Sequence, residues 1–366
     1  MRLVSLLLIC TVFSLLPVQA HSAEYEQSYT VPFGVDYDTN PLLSEQNKQA
    51  IFRYTVTPSY TASRSDENQQ LTLDALVNVQ RSSNANVSAD RNDPTLNLAW
   101  LYTGERDQYN LSGQYDKQST LVSELNQSGL IQNDGSVEDR SLSAGWSHDI
   151  TERLTSSLNA NLRNTTYSAS AVGLSNYHTN AITGNMSYAY SEYVRPFVQL
   201  SVTDYKADNT PNTIYSTDYT IGANVLQSDR FHWNFSTGLN HTSTAGNGWI
   251  GSLGGSYENE YSTISALAAR SVSATGLGGF LKTDNMQVSY IYNLTELSAL
   301  GTSASINRTQ SIFNSRITQY DAFYSKSLNQ QWDMRVSLAD KHYDTDSTSA
   351  HGNVLGLSLI YKSPAF

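Results

Sequence analysis

The chain has little cysteine, little charge and few long apolar runs, and each shortage excludes a class of protein. Its 366 residues include one cysteine, Cys10, inside an N-terminal apolar segment, so no disulfide-stabilised domain is expected. Charged residues make up 15% of the chain, against roughly 25% in soluble domains. No second apolar run is long enough for a spanning helix, which excludes a helical membrane protein.

Sequence motifs for chemistry are also scarce. The formal net charge is −11 and no basic cluster exists, so nucleic acid is not expected as a partner. The histidines show no metal-ligand spacing, and the glycine-rich segment 276–280 lacks the spacing of a phosphate loop. His342, flanked by Asp340 and Asp344, is the nearest approach to a catalytic group, but a solvated loop end explains it better. We therefore expect no enzyme, no metal and no cofactor.

The N-terminus predicts export. Arg2 precedes an apolar run over residues 3–16 and a small-residue cleavage site after Ala20, with Ala23 as the alternative. The sequence therefore divides into a signal peptide, residues 1–20, and one domain, residues 21–366. A secreted chain of this length without a mature cysteine is typical of the bacterial periplasm or outer membrane.

Residues 50–117 show a strict period of two that the rest of the chain repeats. Phe52, Tyr54 and Val56 alternate with Arg53 and Thr55, which places apolar and polar side chains on opposite faces of a strand. A soluble sheet would need a second layer over the apolar face, and no helical pattern is present to supply one. If lipid covers that face instead, the pattern predicts a transmembrane β-barrel.

The alternation predicts an all-β, up-and-down antiparallel barrel of about eighteen strands. Short turns at Glu105, Thr151 and Ser228 alternate with long polar connections, so the turns are expected in the periplasm and the loops outside the cell. A sixteen-stranded barrel is the alternative, because the strands near 262–272 and 297–307 are weakly patterned. Eighteen tilted strands close on a radius of roughly 18 Å, which side chains alone cannot fill. A water-filled channel is the expectation.

Together, the signal, the hairpin alternation and the terminal Phe366 resemble a Gram-negative outer-membrane barrel. The segment from Gly34 through Asp36 and Asp38 to Pro41 resembles the start of barrel porins associated with exopolysaccharide and exosortase loci. This resemblance implies outer-membrane localisation and a possible connection to polysaccharide-secretion components. It also implies contact with outer-membrane lipid, lipopolysaccharide and the barrel-assembly machinery.

The alternation also predicts which side chains face the lumen and which face lipid. The predicted lumen-facing residues are Arg53, Arg163, Arg195, Arg335, Asp74, Asp116, Asp321 and Asp333. The predicted lipid-facing girdle consists of Trp100, Trp146, Trp233, Trp249, Trp332 and Tyr290.

The third long loop, residues 118–139, is a candidate constriction. It carries Glu124, Asp134, Glu138 and Asp139, and the third loop of general porins folds into the barrel. An acidic loop facing a basic wall would create a transverse field across the pore. In the alternative, the loop stays outside and the arginines pair with neighbouring aspartates.

Three functions remain open at this point. The first is a passive channel for small hydrophilic solutes or neutral saccharides. The second is an exit pore for a secreted exopolysaccharide, and the third is a structural or adhesive barrel with a plugged lumen. An anionic polymer would favour an excess of inward basic residues, whereas the predicted lumen is mixed and the chain is acidic.

Overall fold

A computed structural model describes residues 23–127, 134–244, 246–310 and 314–364, and most of these residues lie in β-strands. The predicted signal peptide and the terminal Phe366 lie outside these ranges. The strands are β1 Glu24–Asp38, β2 Ile51–Val56, β3 Ser59–Ser65, β4 Gln69–Ser82, β5 Arg91–Thr103, β6 Asp107–Ser119, β7 Ser136–Asp149, β8 Leu154–Tyr167, β9 Tyr177–Tyr188, β10 Val194–Ala207, β11 Ile214–Ser228, β12 Phe231–Thr242, β13 Gly246–Glu258, β14 Ser262–Thr275, β15 Gly279–Thr295, β16 Ser298–Gln310, β17 Ser315–Ser327, β18 Trp332–Thr345 and β19 Ser349–Lys362.

The strands form one closed antiparallel barrel. Each strand pairs with its neighbours in sequence, and β1 closes the ring against β19 from Thr30–Lys362 to Asp38–Val354. Strands β2 and β3 are halves of one wall strand, since both pair with β1 and are separated only by Thr57 and Pro58. Proline has no amide hydrogen for the ladder, which explains the interruption. The barrel therefore has eighteen wall strands, and the predicted fold class is confirmed.

The two strands that were weakly patterned in sequence are complete in the structure. Strand β14 has 14 residues and β16 has 13, and each is paired along its length with β15. Backbone pairing needs no apolar alternation, so two well-defined neighbours are sufficient to order a strand of small polar residues. The sixteen-strand alternative is wrong.

The two ends of the barrel differ most clearly in the first half of the chain. The connections 39–50, 83–90, 120–135 and 168–176 lie at one end, here called the loop end. The opposite end, the turn end, carries tight connections such as 104–106. In the second half the loop-end connections are also short, for example 276–278 and 346–348. The expectation of long loops throughout one side is therefore correct only for the first half.

Opposite faces of the wall have opposite chemistry. Directly paired residues lie on the same face of a sheet, and Leu158, Ile182 and Phe235 belong to an apolar set that is about half exposed. Their chain neighbours Asn159 and Asn234 lie on the other face. Exposed apolar side chains around a closed wall are expected where lipid, not protein, covers them.

In the described part of the chain, one short helix interrupts the all-β pattern, although the sequence shows no helical pattern. Helix α1, Thr120–Gln127, follows β6. The hydroxyl of Ser119 accepts a hydrogen bond from the amide of Leu121 at 3.1 Å, which is an N-cap contact. Within the described ranges, no helix has the length and apolarity required to cross a membrane.

The face assignment is tested by placing a charge on each side of β12. Phe235→Arg is expected to destabilise the barrel by roughly 2–4 kcal/mol because it places a guanidinium in hydrocarbon. The adjacent Asn234→Arg is expected to cost far less, since its side chain lies on the polar face. Urea unfolding in lipid vesicles measures both. Equal costs would show that the apolar face is not a lipid face.

The orientation of the barrel is tested by cysteine labelling of intact cells. Asn209 is exposed in the loop-end connection after β10, and Glu152 is exposed in the turn between β7 and β8. A membrane-impermeant maleimide should label Asn209→Cys but not Glu152→Cys. The reverse pattern would invert the predicted topology.

Candidate functional site: the barrel interior

The inner face of the wall is identified by contacts that cross the enclosed space. Tyr177, Tyr205 and Ala207 are buried, and they pack against Ala274 and Phe280, which lie several strands away around the wall. The rings of Tyr205 and Phe280 are 5.7 Å apart. Such a contact is possible only through the interior. The face that carries Tyr205 is therefore the inner face.

The contact forms because the tip of the β14–β15 hairpin folds inward. The ladder between β13 and β14 ends at Gly251–Arg270, although β14 continues to Thr275. Beyond this point residues 271–282, here called the inner hairpin, lie against the inner wall. The buried hydroxyl of Tyr205 donates to the carbonyl of Thr275 at 3.0 Å, and the amide of Ser175 donates to the carbonyl of Gly276 at 2.8 Å.

Helix α1 also enters the barrel. Leu125 is buried in a cluster with Leu43, Ile317 and Ala350, so the helix touches the wall formed by β17 and β19. On its other side, the hydroxyl of Tyr167 in β8 donates to the Glu124 carboxylate at 2.8 Å. The third loop thus extends between opposite sides of the interior at the loop end.

The four carboxylates of the predicted constriction have different environments. Glu124 is almost fully buried beside Tyr167. Asp134 accepts hydrogen bonds from Arg91 at 2.7 Å and from the Ser119 hydroxyl at 2.6 Å. Asp139 accepts two hydrogen bonds from Arg163, at 2.9 and 2.8 Å.

Glu138 departs from the expectation. The alternation of β7 places it on the same face as Leu142, opposite to Asp139, and it forms ion pairs with Lys117 at 3.7 Å and Arg140 at 3.5 Å. A residue one position along a strand points to the other side of the sheet. Glu138 therefore cannot belong to the same inner group as Asp139.

Two of the four predicted lumen arginines are paired. Arg53 contacts Asp36 at 2.7 Å and Asp38 at 3.1 Å, and Arg163 contacts Asp139. Two alternatives follow from the sequence, a loop inside the barrel or arginines paired with neighbouring aspartates. The structure shows both features together. Neutralised pairs do not form a strongly basic wall.

The other two arginines have no ion pair in the described part of the chain. The Arg335 guanidinium lies 3.8 Å from the centre of the Phe323 ring, a cation–π contact that covers this aromatic face. Arg195, in β10, lies near the turn end and is paired in the ladder with Asn224. The register places both on the polar face.

The predicted inward aspartates accept mainly neutral hydrogen bonds. Thr61 donates to Asp74 at 2.9 Å, Thr95 donates to Asp116 at 2.6 Å, and Gln319 donates to Asp321 at 2.8 Å. Asp333, near the turn end, is paired with Lys362. Among the described residues, Asp74, Asp116 and Asp321 form no ion pair, although Lys341 of β18 lies on the same inner face as Asp321, directly across the ladder from Gln319.

Uncharged polar side chains cover much of the inner wall between β7 and β15, where Arg195 and Asp218 also face inward. Hydroxyl and amide side chains pair across neighbouring strands between β7 and β15, at distances of 2.6–2.9 Å. These pairs are Ser143–Asn161, Thr183–Ser201, Ser236–Ser252 and Ser265–Ser289. Here this surface is called the neutral arc. Its groups can exchange hydrogen bonds with hydroxylated solutes without attracting ions.

The predicted girdle residues all lie on the apolar face. Trp100, Trp146, Trp233 and Trp332 are within a few residues of the turn end, whereas Trp249 lies near the loop end. Tyr290 lies in the turn-end half of β15 and stacks on Tyr292 at 6.4 Å. Their contact with lipid stays a prediction.

His342 does not form an inner site. Its ring is 2.9 Å from Asp340, and both residues lie on the outer face of β18, opposite to Lys341. Asp344 instead accepts a hydrogen bond from Ser349 at 2.7 Å. No group of three or more metal-ligating side chains occurs in the ranges that the structure describes.

Sequence reasoning missed α1 and the inner hairpin. The helix had a detectable signal: Ser119 as an N-cap, followed by Leu121 and Leu125 at a spacing of four. The inner hairpin had none, because Ala274 and Phe280 fit a lipid-facing phase as well as an inner contact. Only the end of the ladder with β13 reveals the bend.

Comparison with known proteins identifies the fold. No known family model matches the chain, and no curated protein is similar to it in sequence. The outer membrane protein OpdK of Pseudomonas aeruginosa superposes with a TM-score of 0.52 at 9% identity, covering 94% of this chain and 99% of OpdK. OccAB4 of Acinetobacter baumannii superposes with a TM-score of 0.51 at 10% identity, covering 94% and 98%. The fold is that of the outer-membrane β-barrel proteins.

Loss of one hydroxyl should loosen the inner hairpin. Tyr205→Phe removes the shorter of two hydrogen bonds to the carbonyl of Thr275 and leaves the bond from the Gly278 amide at 3.4 Å, at a cost of about 0.5–1.5 kcal/mol. Amide hydrogen exchange across residues 271–281 should become faster. Tyr215→Phe, at an exposed tyrosine of β11, is the matched control and should change nothing. Unchanged exchange in Tyr205→Phe would mean that the hydrogen bond does not hold the hairpin.

Proposed function

We propose that the protein is a passive outer-membrane channel for small hydrophilic solutes, with neutral saccharides as the favoured class. The observation that carries this proposal is a closed barrel whose polar inner face is crossed at the loop end by α1. A helix anchored by Leu125 on one side and by Glu124 on the other narrows the passage without sealing a wide barrel along its whole length.

The solute class is inferred from the neutral arc. Sugars present many hydroxyls that both donate and accept, and serine, threonine and asparagine offer matching groups. The arc provides four pairs of such groups, spread around the wall from Ser143 to Ser289. Charged solutes would gain less there than hydroxylated ones, because the four hydroxyl and amide pairs carry no charge and the inner Arg195 and Asp218 of β10 and β11 have opposite signs.

Ion selectivity should be weak and in favour of cations. Arg53 and Arg163 form ion pairs with aspartates, whereas Asp74, Asp116 and Asp321 form none among the described residues. A low-dielectric wall focuses the field of such carboxylates, and salt screens it only partly.

The other functions are weighed by the same features. An exit for an acidic exopolysaccharide would need an excess of unpaired inward basic residues, whereas Arg53 and Arg163 are paired with aspartates and the unpaired Arg195 and Arg335 are matched by the unpaired Asp74, Asp116 and Asp321. A neutral exopolysaccharide fits the neutral arc but must pass α1 as a polymer. A plugged structural barrel is the second candidate, because α1 and the inner hairpin both occupy the loop end.

We also propose that the barrel-assembly machinery inserts this protein into the outer membrane.

Single-channel recording in planar bilayers tests the constriction with two variants of one helix. Leu125→Asp places a charge in the cluster with Ile317 and should release α1 from that wall. Conductance should then rise roughly twofold. Val122→Asp adds the same charge on the exposed side of α1, at a residue that is 60% exposed, and should leave conductance nearly unchanged.

These recordings also separate the candidate functions. A wild-type protein without conductance would contradict the channel and support the plugged barrel. Equal conductance in wild type and Leu125→Asp would show that α1 is not the narrowest point.

Reversal potentials in a salt gradient test the charge argument. Wild type should prefer cations weakly, and Asp116→Asn should reduce that preference because it removes an unpaired inner carboxylate. Asn97→Ala, at the inner position directly across the ladder from Gln114, is a neutral control. Strong anion preference in wild type would make Arg195 and Arg335 the dominant charges and would favour an acidic substrate.

A further inference from the structure

The inward fold of the hairpin leaves a cleft on the outer face of the wall. Where β14 leaves β13, beyond the Gly251–Arg270 pair, a cavity of about 500 Å³ opens toward the loop end. Its outward-facing lining is Trp249, Gly251 and Leu253 of β13, Ala268 and Arg270 of β14, Asp284 and Met286 of β15, and Ile306 and Arg308 of β16. Ser236, Ser252 and Ala269, which belong to the inward phase of their strands, also border it.

The cleft is apolar toward the centre of the wall and charged toward the loop end. Its floor is one row of residues that are paired directly across neighbouring strands: Leu253, Ala268, Met286 and Ile306. The next row on the outer face, two residues closer to the loop end, contains Arg270, Asp284, Arg308 and Arg316. These residues are paired directly across neighbouring strands from β14 to β17. An apolar floor below a charged rim matches an amphipathic molecule with one charged end.

Part of the charged row is neutralised within the protein. The Arg270 guanidinium donates two hydrogen bonds to Asp284, at 2.5 and 2.7 Å, and lies 4.3 Å from the centre of the Trp249 ring. These contacts hold the Arg270 side chain in one position along the side of the cleft. Its charge is not available to an outside ligand.

Arg308 is different. Its side chain is exposed, it forms no ion pair or hydrogen bond among the described residues, and the ladder places it directly opposite Arg316. Among the described residues, the ion pair of Arg316 is a long contact with Asp344, at 3.8 Å. Like charges directly opposite each other destabilise a sheet. An anion between the two guanidiniums would remove that cost and would receive bidentate hydrogen bonds.

We propose that this cleft binds a phosphorylated lipid of the outer leaflet, namely lipopolysaccharide. An acyl chain would lie on Leu253, Met286 and Ile306, and a phosphate would lie between Arg308 and Arg316. The charge sign, the acyl-sized apolar floor and the place at the loop end of a lipid-facing wall support this occupant. The proposal depends on the outer-membrane orientation proposed above, but not on channel activity.

Native mass spectrometry of the full-length folded protein tests the proposal. The probe is bisphosphorylated lipid A, added to protein in detergent micelles. Wild type should retain it, and the double variant Arg308→Gln with Arg316→Gln should retain at least several-fold less. Arg140→Gln is the matched control, since Arg140 is an exposed outward arginine near the loop end of β7 but is paired with Glu138. The control should retain lipid A as wild type does.

Two further measurements do not depend on whether the double variant folds. Dephosphorylated lipid A should bind wild type several-fold more weakly than the phosphorylated form. Arg308→Lys keeps the charge but loses the planar fork, and its retention should be intermediate. Equal binding of both lipid A forms to wild type would overturn the proposal. Equal retention of phosphatidylglycerol and lipid A would overturn the assignment to lipopolysaccharide. Conductance is recorded separately, so failure of this proposal is distinguishable from failure of the channel.

Discussion

The closed hydrogen-bond ladder is the constraint on which this structure depends. A backbone donor or acceptor exposed to hydrocarbon costs several kcal/mol, so a sheet within a membrane must have no free edge. The pairing of β1 with β19 satisfies that requirement, and it also explains why strands of weak pattern such as β14 remain ordered. The ladder between β13 and β14 stops at Gly251–Arg270, at the loop end, and the segment of β14 beyond it packs against the inner wall instead.

The wall could be predicted from the sequence, because its determinants are local. A period of two gives the face of each residue, and tight polar turns give the direction of the chain, so Arg53 and Phe52 could be assigned to opposite sides from sequence alone. The interior contacts could not be predicted in this way. Whether Arg163 meets Asp139, or Glu124 meets Tyr167, depends on pairing register and on the path of a loop, which involve residues far apart in sequence. Glu138 was misplaced because the end of the third loop was set at residue 139, four residues too late.

The width of the barrel explains why inner elements are present. Side chains on opposite walls of an eighteen-stranded barrel cannot reach each other, so their polar groups must pair along the wall or with inserted chain. Both solutions are present here. Arg53 pairs with Asp36 on the neighbouring strand, whereas Leu125 and Phe280 are carried inward by α1 and the inner hairpin. Helix α1 and the inner hairpin both lie at the loop end. The pairs of the neutral arc are formed along the wall itself.

Pairing of the inner charges also determines how the interior can discriminate among solutes. A guanidinium held against a carboxylate has a field that falls off quickly, and at physiological ionic strength the remaining field decays over about 8 Å. The isolated carboxylates Asp74 and Asp116 each accept a hydroxyl hydrogen bond, which satisfies part of their demand without cancelling their charge. Size at α1 and hydrogen bonding along the neutral arc should therefore dominate over charge. A solute with many hydroxyls and no net charge meets both conditions, which is the physical basis for preferring neutral saccharides to ions or acidic polymers.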